Sequence, residues 1–211
     1  SPQAFEGLRM AGRKLWRFDH EGKELASLEA PAPVSDLALA SDDALWLADV
    51  AGKALWRRPE GEKATFERVP GTFEGPGALG AGADGSVWVV DVARTLKRVT
   101  PRGEVVETLD GRAGAAIGDG HLGQEGVGLE QVMAVTESSP GWLVLADGHR
   151  IRTLEVATRD LHTAVGKFTQ CDADGQGLDA HLNRPTGLAL QGNTVWVTDR
   201  DNHRLRKVTL P

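Results

Sequence analysis

Tyrosine is missing from this 211-residue chain, and cysteine occurs once, at Cys171. A lone thiol excludes an intramolecular disulfide, so oxidative stapling has no part in the fold and the redox compartment stays open. No apolar run approaches the ~18 residues needed to cross a bilayer as a helix, and no membrane span is expected. The chain opens Ser-Pro-Gln, with neither an initiator methionine nor a charged-then-apolar leader. It reads as a trimmed or processed product from which any targeting segment has gone. Extracytoplasmic and cytoplasmic settings are both compatible, the former being favoured. Basic charge is in deficit too: 24 Lys and Arg face 30 Asp and Glu, for a net charge of −6. That balance argues against a nucleic-acid groove reader, which needs a basic surface to neutralise phosphates. For the absence of tyrosine we have no physical account.

What is present is punctuation and short apolar bursts. There are 26 glycines and 10 prolines, and between them lie β-branched and aromatic clusters rather than long helix-forming runs. Four of these clusters resemble one another: LWLADVAGKALWR at 45–57, VWVVDVARTLKRV at 87–99, LVLADGHRIRTL at 143–154 and VWVTDRDNHRLRKV at 195–208. Their aspartates, Asp49, Asp91, Asp147 and Asp199, lie 42, 56 and 52 residues apart. Trp46, Trp88 and Trp196 each precede their aspartate by three residues. In the third copy Val144 takes that place and Trp142 is displaced by two. A period of this size marks a solenoid, a propeller or an array.

Each cluster follows a segment of small residues: VSDLALA at 34–40, PGALGAG at 76–82, EQVMAVT at 130–136 and PTGLALQ at 185–191. The unit therefore reads as small strand, tight turn, Trp-centred strand, polar turn and a third strand rich in basic residues. In places a fourth follows, as in GEVVETLD at 103–110. That is an antiparallel meander of three or four short strands, and about 40–50 residues per unit suits a β-propeller blade. The predicted fold is all-β, a propeller of four-stranded antiparallel blades. It has four repeat units plus an N-terminal half-unit and belongs to a five- or six-bladed ring. The domain spans 1–211, with units at about 1–30 (partial), 31–75, 76–110, 130–165 and 185–211. Small residues would line the hub, tryptophan would fill the wider space between blades, and each aspartate would cap the turn after its strand. The third strands do not alternate cleanly, since Leu96 and Val99, like Leu205 and Val208, are three apart. Closure could come from residues 23–29 lying beside 204–210. The favoured reading is an arc of a larger ring, with further blades from the same or another chain.

The segment VWVTDRDNHRLRKV resembles an NHL repeat, in Asp199, Asn202, His203, Arg204 and Leu205. Upstream, GKFTQCDADGQGLDAHLNRPTGLAL at 166–190 is similar to that family's Gly/Asp-rich connector, and GRAGAAIGDGHLGQEGVGLEQVMAV at 111–135 is a looser version. The third unit keeps Asp147, His149, Arg150 and Ile151, whereas the first two keep only the Trp-x-x-Asp skeleton. The resemblance implies a five- or six-bladed propeller. The function expected of it is a non-catalytic, rigid scaffold for a protein or other ligand, with the two connectors as contact loops. It also leaves two alternatives. Some enzymes on this fold hold a metal in the channel through histidines, so a propeller hydrolase or lyase with a channel metal is one. Some NHL propellers bind RNA through a basic face, so the basic third strands are the other.

Six histidines occur, at 20, 121, 149, 162, 181 and 203, without HxH or HExxH spacing. His121 and His181, in the connectors, are the candidates for a transition metal. Asp172 and Asp174, in CDADGQGLD, are the candidates for calcium, although the glycine falls at the wrong position for an EF-hand loop. No cofactor is otherwise expected. Cys171 stands beside Asp172, whose charge disfavours a thiolate, and no GxSxG occurs, so no catalytic nucleophile is assigned.

Overall fold

The computed structural model describes residues 7–19, 21–61, 63–92, 94–112 and 117–210. His20, one of the six histidines, and residues 1–6 of the partial unit lie outside them. The described chain forms five antiparallel sheets arranged as a five-bladed propeller. The first holds β1 (Gly7–Ala11), β2 (Lys14–Phe18) and β3 (Glu24–Glu29). The second holds β4 (Asp36–Leu39), β5 (Leu45–Asp49), β6 (Ala54–Arg58) and β7 (Glu67–Arg68). The third is β8 (Pro76–Ala81), β9 (Val87–Asp91), β10 (Thr95–Val99) and β11 (Val105–Asp110). The fourth adds β12 (Gly120–His121) outside β16 (Asp160–Gly166), which follows β13 (Val132–Ser139), β14 (Trp142–Asp147) and β15 (Arg150–Glu155). The fifth is β17 (Pro185–Gln191), β18 (Thr194–Asp199) and β19 (Arg204–Thr209).

Why the second strands are apolar on both faces follows from the stacking. In β9, Val87 and Val89 join Trp46 and Leu79 in the core between sheets two and three. Trp88 and Val90 turn the other way, into the core shared with Leu143 and Leu145 of β14. Val144 and Ala146 then face Val195 and Val197 of β18. A strand buried on both sides has no reason to alternate polar and apolar residues. The uneven third strand β10 has the same cause. Leu96 faces the core shared with the fourth sheet and Val99 the core shared with the second, so two residues three apart are both buried.

Trp46 and Trp88 are 0% and 1% exposed and wedge between sheets as expected. Trp196 does not. It is 37% exposed, because it lies on the face of the fifth sheet turned away from the fourth, and no described sheet covers that face. Leu205 shares this face and is 65% exposed. The displaced Trp142 is 40% exposed, and Val144 fills the wedge position in its stead. The suggested closure by residues 23–29 is also absent among the described residues, since β3 and β19 are edge strands of separate sheets. Among the described residues the first and last sheets share no ladder.

The innermost strands converge closely enough to demand glycine. A Cβ on Gly80 of β8 would sit 2.9 Å from the Val135 carbonyl carbon of β13, and closer still to its oxygen. Backbone cannot yield as a side chain would, so Gly80→Ala is expected to destabilise the chain by about 1–3 kcal/mol. Chemical denaturation of the two proteins checks this, and equal midpoints would contradict the close approach.

Candidate functional site

The repeated aspartates sit buried at the ends of their second strands, and they do more than close a turn. Asp91 Oδ1 accepts the backbone N–H groups of Glu74 and Gly75, at 3.0 and 2.7 Å. Asp147 accepts those of Glu130 and Gln131, at 2.9 and 2.7 Å. Asp199 accepts that of Asn183 at 2.7 Å. Each carboxylate thus fastens the connector just before its own blade's inner strand, 16 or 17 residues upstream. Asp49 differs and accepts the Gly52 N–H of the following turn. The position sixteen residues before Asp49 is Pro33, which has no N–H to give.

A basic side chain on the third strand completes the clamp. Lys97 Nζ donates to Asp91 at 2.6 Å, Arg152 Nη1 to Asp147 at 3.0 Å and Arg206 Nε to Asp199 at 2.9 Å. All three stand two residues past the residue paired with the aspartate. In the second sheet that position is Trp56, so Asp49 has neither partner. Further basic residues are likewise engaged. Arg57 pairs with Asp42 and lies over the Trp46 ring, Arg98 pairs with Asp84, and Arg204 pairs with Asp172 at 2.8 Å. The Ser86 hydroxyl, donating to it, holds the Asp84 carboxyl below its usual range, and the Arg98 charge adds a lesser share. The basic band therefore carries its own counter-charges.

The fourth blade holds the most buried network. Arg150 and Arg152 are both shut off from solvent. Arg152 also donates to the Gly128 and Gly118 carbonyls and to Asp119, while Arg150 reaches the Ile117 carbonyl and stacks on Phe168. These contacts pin the connector 117–131 to the blade.

The remaining candidates fall apart from one another. Asp172 and Asp174 both turn onto Arg206, where a guanidinium takes up their oxygens. Asn202 Nδ2 donates to Asp199 and to the Cys171 carbonyl, both at 2.9 Å. His121 is exposed on the outer strand β12, opposite Asp160. His181 lies in the last connector, its backbone N–H bonded to the Ala173 carbonyl. Among the described residues no three His, Cys, Asp or Glu side chains converge at metal-holding geometry.

At the hub the inner strands enclose a cavity of about 770 Å³. Its wall includes Leu37, Leu79, Met133 and Leu188, with Val50 and Val92 beside it. One side chain there escaped the sequence reading. Asp36, on β4, stands at the level where the other blades place Ala78, Ala134 and Gly187. Its Oδ2 accepts the Leu79 N–H and its Oδ1 the Leu37 N–H, both at 2.8 Å. Burial lifts the Asp36 carboxyl above the ordinary range, opposed only by those two backbone donors. An acid amid otherwise small hub residues was the signal available.

Residues 182–208, which contain the last clamp, match the NHL repeat family. The chain is a five-bladed propeller that carries an NHL repeat at residues 182–208. NHL repeat-containing protein 2 of Gallus gallus is 37% identical over 70 residues, which is 32% of this chain and 10% of that protein. A protein of unknown function from Bacteroides thetaiotaomicron superposes with a TM-score of 0.78 at 18% identity, over 99% of this chain and 57% of that one. Virginiamycin B lyase of Staphylococcus aureus gives a TM-score of 0.62 at 18% identity, over 100% of this chain and 68% of the enzyme. A catalytically inactive histidine-to-alanine variant of that enzyme, solved with quinupristin, gives 0.61 at 19% identity. At such identities these structures share the fold. The matched segment spans a tenth of the chicken relative, and the chain covers little more than half of the Bacteroides chain. No helix among the described residues is long and apolar enough to cross a membrane.

Proposed function

We propose that this NHL propeller is a non-catalytic binding scaffold whose connectors, 117–131 and 166–184, present a rigid face to a protein partner. The observation that carries this reading is where the polar side chains are used. Asp147 and Asp199 fasten the two connectors to their blades through one or two backbone N–H groups and a basic partner. Asp172 and Asp174 anchor the last connector to Arg206 in the same way. Loops held by ionic contacts lose little further freedom on binding, which is what a recognition surface requires. No histidine or cysteine is among the described residues that line the hub cavity, and this favours a scaffold over a lyase.

The decisive comparison is chemical. The purified chain is expected to carry no stoichiometric metal, to leave quinupristin intact, and to keep its thermal midpoint when calcium or a chelator is added. A tightly held ion lost in His121→Ala or His181→Ala, or turnover of quinupristin, would instead select the lyase reading.

A further inference from the structure

The hub cavity differs in charge from the rest of the NHL propeller's interior. Asp91, Asp147 and Asp199 each meet a lysine or arginine at 2.6–3.0 Å. Asp36 meets none, and its oxygens accept only backbone N–H groups. Glu74, exposed at the start of the third blade, lines the same cavity, and the basic charge that acts on its carboxylate, Arg112, lies outside the lining. These two acids are the only ionisable groups in the described lining, and no basic group accompanies them. Ser35 is already committed, its hydroxyl donating to the Ala48 carbonyl at 2.9 Å. The remaining wall is aliphatic or glycine, apart from Thr186.

The rim adds a second feature. Val50 and Val92 follow the aspartates of the second and third blades, line the cavity, and are 45% and 40% exposed. Val92 has φ +49, a region that a β-branched residue enters only at a cost of about 1–3 kcal/mol. The fold tolerates a strained backbone to keep an isopropyl group at the opening, where glycine would serve the turn better.

We infer that the hub cavity binds an organic cation: a protonated amine on an aliphatic body, with its ammonium between Asp36 and Glu74 and its hydrocarbon against Leu37, Met133, Leu188 and the two valines. A volume of about 770 Å³ lies within the range of small-molecule sites. The bound ammonium supplies the counter-charge that Asp36 lacks, in surroundings where water screens it poorly. Binding at the inner wall does not depend on the connector face, so the two readings stand or fall separately.

Isothermal titration of the whole chain at pH 7 with hexylamine hydrochloride, 1-hexanol and sodium hexanoate separates charge from hydrophobicity. Hexylammonium is expected to saturate one site at least tenfold more tightly than hexanol, and hexanoate to show no saturation. Asp36→Asn keeps one acceptor oxygen but turns an amide nitrogen toward the other backbone N–H, so it is expected to lower the thermal midpoint as well as to weaken hexylammonium tenfold or more. Glu74→Gln removes a carboxylate with no structural bond and is expected to weaken it several-fold. Val92→Gly is expected to raise the midpoint while loosening binding. Equal affinity for hexanol, absence of saturation by hexylammonium, or unchanged affinity in Glu74→Gln would each overturn the inference. These outcomes do not rely on Asp36→Asn folding.

Discussion

Arg152→Ala is expected to destabilise the chain by about 3–5 kcal/mol, the range found when one member of a buried ion pair is removed. The substitution leaves Asp147, which is inaccessible to solvent, with only the longer contact to the Arg150 guanidinium at 3.6 Å. It also removes the donor to the Gly118 and Gly128 carbonyls and to Asp119, so the connector 117–131 loses its anchor. The loss should therefore be regional: hydrogen exchange is expected to accelerate first in that connector and in β12. Arg57→Ala is the control. Arg57 pairs with the part-exposed Asp42, and its loss is expected to cost no more than about 1 kcal/mol. Equal losses for the two variants would show that burial does not set the strength of these pairs.

The second large effect concerns tryptophan. Trp88→Ala is expected to cost about 3–5 kcal/mol, because a sealed indole leaves a cavity between two sheets that cannot close. Trp88→Phe should cost much less than Trp88→Ala, since the indole Nε1 has no hydrogen-bond partner among the described residues and a benzyl group still fills most of the space. Trp196→Ala is expected to cost under about 1 kcal/mol in the same chain, because no described sheet lies on its face. Urea denaturation of the three variants checks the ordering. A Trp196→Ala loss as large as that of Trp88→Ala would mean that its face is covered.

These expectations mark where the sequence was legible. The strands, the small hub residues and the wedge role of Trp46 and Trp88 all follow from local pattern, since a blade buried on both faces needs runs such as VWVVD. Trp196 carries the same local signal, but its exposure is decided by what lies on the next sheet, which no window of residues contains. The clamps were half visible. The aspartates repeat, yet their basic partners follow at intervals of six, five and seven residues for Lys97, Arg152 and Arg206. The turn between the second and third strands varies in length, and only the ladder register brings these side chains to one level. The basic residues therefore resembled a surface band. Asp36 was hidden for another reason: its segment was valued for small residues, and one acid among them did not disturb that pattern.

The aspartate-to-connector bonds have a consequence for how the chain tolerates change in length. The reach back from Asp91, Asp147 and Asp199 is 16 or 17 residues, although the aspartates themselves are spaced unevenly. All the irregularity is thus confined upstream of the fastened amides. Extra residues entering before Glu130 or Asn183 would lengthen a loop at a modest entropic penalty, whereas one residue inserted between Asn183 and Asp199 would slide an inner strand out of step. The propeller behaves like a ruled scale with slack between its marks, and new surface can be added in the slack without moving any mark.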